Sequence, residues 1–238
     1  MKTQKITALV PIKDRSERLE NKNFKDFCGR PLYQVILLKL QNIDFIDRII
    51  VNTDSDRIIR ELAKDTPKGA GNPFSKVEII PRPEEIKGHH ITMNTIIKSD
   101  LKIVEGEHFL QTHATNPLLS VSTIVRAVGS YFENLAQYDS LFSVYKIKKR
   151  AYASNGAPIN CSRHVLEQTQ HLPEVMIENS NLFLFSRTSF LKADNRIGLM
   201  PQMFSMSEIE SADIDYEHEF ALAELINKNR ERFGELDA

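Results

Sequence analysis

Short apolar runs rich in β-forming residues alternate with amphipathic helical stretches along this chain. That alternation restricts the fold more than any single motif does. Ile6 to Ile12 (ITALVPI) is nearly all apolar, as a strand covered on both faces must be. Arg48–Asn52, Val77–Ile80, His108–Thr112, Ser140–Tyr145 and Leu182–Phe185 read as further strands. The spacing of apolar residues predicts helices over Leu32–Gln41, up to Ala63, over 91–104, up to about Ala136 and over 216–229. Pro31 suits the first position of its helix. Thr53-Asp54-Ser55-Asp56 and Ser120 or Ser122 supply candidate helix caps. Residues 65–75 are rich in Pro and Gly and read as a loop. The pattern implies an α/β fold, a mostly parallel sheet with helices on both faces, formed by 1–238 as a single domain. Residues 146–178 are polar and poorly periodic and read as an excursion from the main sheet. In such sheets ligands collect at the carboxyl ends of the strands, so the loops after Ile12, Asn52, Ile80 and Thr112 are the ones to inspect.

Composition narrows the partners. The chain has 238 residues with 31 Lys+Arg against 32 Asp+Glu, a formal charge of −1. A dedicated nucleic-acid binder carries a basic excess, and this chain has none. The longest purely apolar runs, such as Val35-Ile36-Leu37-Leu38, are far short of a bilayer span. The first apolar run ends at Pro11, too soon for an export signal. Cys28 and Cys161 lie far apart with no CxxC pattern, which suits two free thiols in a reducing cytoplasm. The expectation is a cytoplasmic protein that acts on small molecules, with no membrane and no nucleic acid as partner.

The loop after the first strand concentrates four cations, Lys13, Arg15, Arg18 and Lys22. A polyphosphate needs such groups to offset its charge. Asp14, Glu17 and Glu20 interleave with them, so a solvated charged loop has the same composition. The segment lacks the G-x-x-x-x-G-K-[ST] pattern of a P-loop and the G-x-G-x-x-G of a dinucleotide fingerprint. Near the other end, Asp213 and Asp215 stand two apart. On an extended segment that spacing puts both carboxylates on one face, where two hard oxygen ligands can hold a Mg²⁺ ion. The competing local reading makes Asp215 a helix N-cap with Asp213 in solvent. No H-x-x-x-H or CxxC set offers a zinc site.

Taken in order, these stretches resemble the CMP-sugar synthetases, the cytidylyltransferases that activate nonulosonic and octulosonic acids. That family's first loop carries Pro-Ala-Arg, small residues, Ser and, further on, Lys-Asn. Pro11, Ser16, Lys22 and Asn23 stand at the matching places, and Arg18-Leu19 matches the octulosonate branch. Lys13 replaces the usual Arg, while Asp14 and Arg15 replace small residues. Gly29-Arg30-Pro31-Leu32 and Ile50-Val51-Asn52-Thr53-Asp54 have counterparts too, though a helix cap is sufficient reason for Asp54. So has Arg82-Pro83, whose Arg, by resemblance, faces the nucleotide. His113-Ala114-Thr115-Asn116-Pro117-Leu118 is similar to Gln-Pro-Thr-Ser-Pro-Leu, with Gln111 nearby to take the amide role. Residues 170–183 are similar to an acceptor-side motif in which Gln170 and Asn179 match, while Ser180 replaces Gly and Phe183 replaces Tyr. Asp213-Ile214-Asp215 with Glu219-Phe220 matches the family's Asp-Ile-Asp stretch.

The resemblance implies a Rossmann-like nucleotidyltransferase fold and the transfer of CMP from CTP to the anomeric hydroxyl of an acidic sugar. It implies nucleotide contacts at Pro11, Lys13, Arg15, Ser16, Asn23, Arg82, His113, Thr115 and Asn116. Catalytic roles fall to Arg18, Lys22, Asp213 and Asp215, with Mg²⁺ on the two aspartates. Acceptor contacts fall to Gln111, Gln170 and Asn179. The excursion at 146–178 corresponds to the part that meets a second subunit, which implies a homodimer. Lys146, Lys148, Lys149 and Arg150 within it read as a solvated charge run or as an attraction for an acidic sugar. Two alternatives keep the fold: another acceptor (octulosonate, phosphonate, polyol or hydroxy acid), or a non-catalytic nucleotide-binding relative.

Overall fold

The computed structural model describes residues 4–64 and 72–230. Seven strands form one sheet: β1 (Ile6–Leu9), β2 (Ile46–Thr53), β3 (Val77–Pro81), β4 (His108–Gln111), β5 (Ser140–Ile147), β6 (Val175–Ser186) and β7 (Pro201–Ser205). Six helices accompany them: α1 (Leu32–Gln41), α2 (Asp56–Lys64), α3 (Met93–Asp100), α4 (Val121–Glu133), α5 (Arg187–Ala193) and α6 (Glu217–Lys228). The strand order is β3-β2-β1-β4-β6-β5-β7. β1 pairs in parallel with both β2 and β4, and β2 with β3. β6 alone runs the other way, antiparallel to β4 and β5, and β7 returns to parallel beside β5.

Strand burial explains the apolar first run. All four residues of β1 are buried. Ala8 joins a core beneath α1, α2 and α4, whereas Leu9 joins a second core with Ile97 of α3 and Phe190 of α5. The sheet is therefore covered on both faces. A third cluster gathers Leu19 and Phe27 of the first loop with Ile214, Phe220 and Ala223, so α6 packs against that loop and not on the sheet centre.

Several boundaries differ from the sequence reading. β1 stops at Leu9, and Ile12 rejoins β2 through a single bridge to Thr53. The helix expected over 91–104 ends at Asp100, and the one expected to reach Ala136 ends at Glu133. The excursion is shorter than 146–178. Lys146 and Ile147 belong to β5, and Val175 to Glu178 pair with it as the first part of β6. That strand half alternates partly buried and exposed residues, which hid it from a search for apolar runs. α5 and β7 are additional elements. Residues 65–71 of the expected loop lie outside the described residues. No described helix is long and apolar enough to cross a membrane.

Candidate active site

The carboxyl ends of β1 and β4 open onto a cavity of about 260 Å³. Its wall carries Pro11, Lys13, Arg15, Ser16, Arg18, Lys22 and Asn23 from the first loop, His113 and Thr115 from the loop after β4, and Asp215. The four cations thus share one cavity, as a polyphosphate site requires and a merely solvated loop does not. Asn23 shapes the loop as well, its amide donating to the Lys13 carbonyl oxygen at 2.8 Å.

Asp215 is the counter-charge. Arg18 reaches its Oδ2 at 2.7 Å and Lys22 its Oδ1 at 3.0 Å. The Lys22 ammonium, itself buried, also donates to the Ile214 carbonyl oxygen. Ile214 pins this segment, its side chain buried against Leu19 and its N–H bonded to the Thr115 carbonyl at 3.0 Å. Asp213 and Asp215 flank that pin, and of the two only Asp215 lines the cavity. The helix-cap reading of Asp215 does not hold: Glu219 reaches back to the N–H groups of Asp215 and Tyr216 at 2.7 and 2.9 Å. Crowding by protein and the neighbouring Asp215 charge hold the Asp213 carboxyl above its ordinary range, with a Thr115 hydrogen bond opposing them. Among the described residues no group of three or more His, Cys, Asp or Glu side chains is placed to hold a metal. The aspartate pair offers hard oxygen donors, of which both Asp215 oxygens are already paired with Arg18 and Lys22.

Arg82 takes a different place from the expected one. It does not line the cavity but is buried beneath the loop. Its Nε donates to Asn52 Oδ1 at 2.7 Å, and a terminal nitrogen lies 3.8 Å from Asp54. Asp54 in turn accepts the Asp14 N–H at 2.8 Å, and Ser55 donates to the Asp14 carboxylate at 2.5 Å. Asp54 is therefore a brace for the loop; the Ser55 hydroxyl is what accepts the Ile58 N–H in the first turn of α2. Asn52 also donates to Asp100 at 2.6 Å, and burial pushes that carboxyl up to about 6. Asp14, a departure from the small residue of the resemblance, is what locks the loop to this network.

The sequence profile of the cytidylyltransferase family matches residues 7–193. The chain belongs to that family. It is a nucleotidyltransferase. It is 20% identical to a pseudaminic acid cytidylyltransferase of Campylobacter jejuni, over 94% of this chain and 97% of that one. It is 24% identical to an N-acylneuraminate cytidylyltransferase of Escherichia coli, over 96% of this chain and 53% of the longer relative. The structure of a CMP:2-keto-3-deoxy-manno-octonic acid synthetase complexed with CTP superposes with a TM-score of 0.70 at 12% identity, over 95% of this chain and all of that one.

The residues expected at the acceptor, Gln111, Gln170 and Asn179, and the expected nucleotide contact Asn116 are more dispersed. Gln111, buried at the end of β4, donates to the Thr112 carbonyl and contacts His113 Nε2 at 3.0 Å. Burial, with Arg196 and Lys22 near, drives His113 down to about 3, so its ring is neutral at physiological pH. Asn179 is buried and bonded to Ser143 at 2.6 Å and Ser211 at 2.7 Å. Asn116 donates to the Ala212 carbonyl at 3.2 Å and so ties the β4 loop to the aspartate segment. Neither asparagine lines the cavity. Gln170 is exposed on a one-turn helix, bonded to Gln168, and is not brought to the cavity. Ser180 has a left-handed backbone with φ of 54°, which accounts for the glycine expected there. The sequence reading missed Arg196, His89, Met93 and Glu17. The last three line the cavity; Glu17 stands among the loop cations, and His89 and Met93 belong to no motif.

Proposed function

We propose that this cytidylyltransferase transfers CMP from CTP to the anomeric hydroxyl of an acidic sugar, a nonulosonate such as pseudaminic acid or a sialic acid. The hydroxyl gives its proton to solvent as its oxygen attacks the α-phosphorus, the bond from that phosphorus to the bridging oxygen breaks, and pyrophosphate leaves with that oxygen. The observation that carries the reading is the cationic loop closed over one cavity against Asp215. The names of the C. jejuni and E. coli relatives support a nonulosonate acceptor.

In this mechanism Lys13, Arg15 and Ser16 bind the phosphates, while Arg18 and Lys22 offset the charge that grows on the leaving group. The link from Asp215 to Arg18 and Lys22 fixes both cations before substrate arrives, so little reorganisation accompanies reaction. The neutral His113 and Thr115 give hydrogen bonds to the nucleoside without adding charge. Asp213 and Asp215 are the residues that would hold a Mg²⁺ ion, which would supply further neutralisation of phosphate charge. Lys149 to Glu174, with exposed Tyr152, Ile159, Val165 and Leu166, supplies an apolar surface suited to a second copy of the chain. Both cysteines are free, which suits the cytoplasm, the compartment that supplies CTP.

The test is pyrophosphate release with Mg²⁺, each of the four nucleoside triphosphates and a panel of acidic sugars, with sedimentation of the same sample to read its size. Release that requires CTP together with a nonulosonate is expected, from a two-chain species. Release only with another acceptor reassigns the sugar, and no release with any pair overturns the reading.

A further inference from the structure

We propose that Arg196 is the anchor for the carboxylate of the acceptor, a role that rests on the transfer to an acidic sugar proposed above. Arg196 follows α5 and lies over the ring of Phe183 on β6, its guanidinium carbon 3.6 Å from the ring centre. One terminal nitrogen donates to Gln111 Oε1 at 2.5 Å. The same Gln111 contacts His113, which lines the cavity. The cation therefore stands at the carboxyl end of β4, one amide removed from the nucleotide pocket.

Its charge is unspent. Among the described residues no carboxylate lies within ion-pair distance of it, whereas Arg18, Arg48 and Arg57 each hold one. Burial lowers its pKa to about 10, and the nearby Glu178 only partly opposes that shift. Protein normally pairs a cation so enclosed. Of its five N–H donors, those not turned to Gln111 are neither bonded to any described residue nor sealed from solvent. A planar fork with free donors, fixed by stacking and by one amide, matches a carboxylate bidentately. A nonulosonate carries its carboxylate on the anomeric carbon, so an anchor beside the phosphate cavity orients the hydroxyl that must attack.

The experiment measures binding by calorimetry to the full chain loaded with a CTP analogue whose α–β bridge is methylene. The probes are pseudaminic acid and N-acetylneuraminic acid, each against its methyl ester. The wild type should prefer an acid to its ester by about 10- to 100-fold, the range of a charge-assisted hydrogen bond. Arg196→Gln should bind acid and ester alike while holding the CTP analogue as the wild type does. Arg196→Lys, with charge but no fork, should fall between. A structural role alone would weaken acid and ester together. Arg196→Gln keeping the wild-type preference, or a wild type with no preference, overturns the assignment. Failure of the wild type to bind the CTP analogue overturns the nucleotide reading instead.

Discussion

The two sides of the cleft are built on different principles. Beneath the nucleotide loop, polar groups are paired with one another: Asp14 with Ser55, the Asp14 N–H with Asp54, Arg82 with Asn52, and Asn52 with Asp100. On the acceptor side Arg196 leans on a ring and an amide and leaves donors open. The first arrangement holds a loop in one shape before any ligand arrives. The second leaves a charge to be completed by the ligand. A nucleotide that never varies rewards a finished cradle, while an acceptor that varies across relatives rewards open, directional donors.

The largest effect expected from breaking the finished side comes from Lys22→Ala. It removes the buried ammonium between Ile214 and Asp215 and should lower pyrophosphate release by about 10³-fold, the cost typical of a lost electrostatic group at a transferring centre. Steady-state kinetics with CTP would check it, and a loss under about tenfold would shift the burden to Lys13 and Arg15.

Acid–base behaviour sharpens the same comparison. Asp100, at about 6, keeps a proton between roughly pH 4 and 6 that the unfolded chain has released, so stability falls as pH rises across that window. His113, at about 3, has the opposite sign: the unfolded chain takes up a proton below about pH 6.5 and the folded one does not, so stability is lost as pH falls. Asp100→Asn removes the first titration and keeps the second. The variant should be more stable than the wild type at pH 7 by on the order of 2 kcal/mol, with the advantage gone by about pH 4. Urea midpoints at the two pH values read this directly, and an equal difference at both would contradict it.

The smallest effect lies on the acceptor side. Ser180→Gly relieves a left-handed serine in β6 and should add about 0.5–1 kcal/mol of stability, less than the full strain because glycine loses more freedom on folding. A thermal melt that moves downward would show that the Ser180 contact with Glu178 outweighs the strain.

Much of this was legible in the sequence because it is local. Leu32–Gln41 carries its helical spacing and its Pro31 start in one stretch, and the bounds agree with α1. The four loop cations and the aspartate pair were visible as clusters, and the fold brings the cations and Asp215, but not Asp213, to the wall of one cavity. What was hidden depends on register. Asn52 pairs with Ile80 across β2 and β3, and only that alignment puts Arg82 under the loop instead of in the cavity. Seven-residue α5 is too short to display a period, and β7 opens with Pro201 and has no fully buried residue. Arg196 belongs to no cluster in the sequence; its meaning comes from the strand neighbours Gln111 and Phe183, which face each other across β4 and β6.

Lys22 and Asp215 are 193 positions apart. During synthesis the first loop therefore leaves the ribosome long before the residue that settles its charges, by roughly 10 to 40 s at ordinary elongation rates. Through that interval Arg18 and Lys22 have only the loop's own carboxylates, Asp14, Glu17 and Glu20, near them in the chain. The pairing of Arg18 and Lys22 with Asp215 is thus a late event in synthesis, completed only when the segment ahead of α6 reaches the loop.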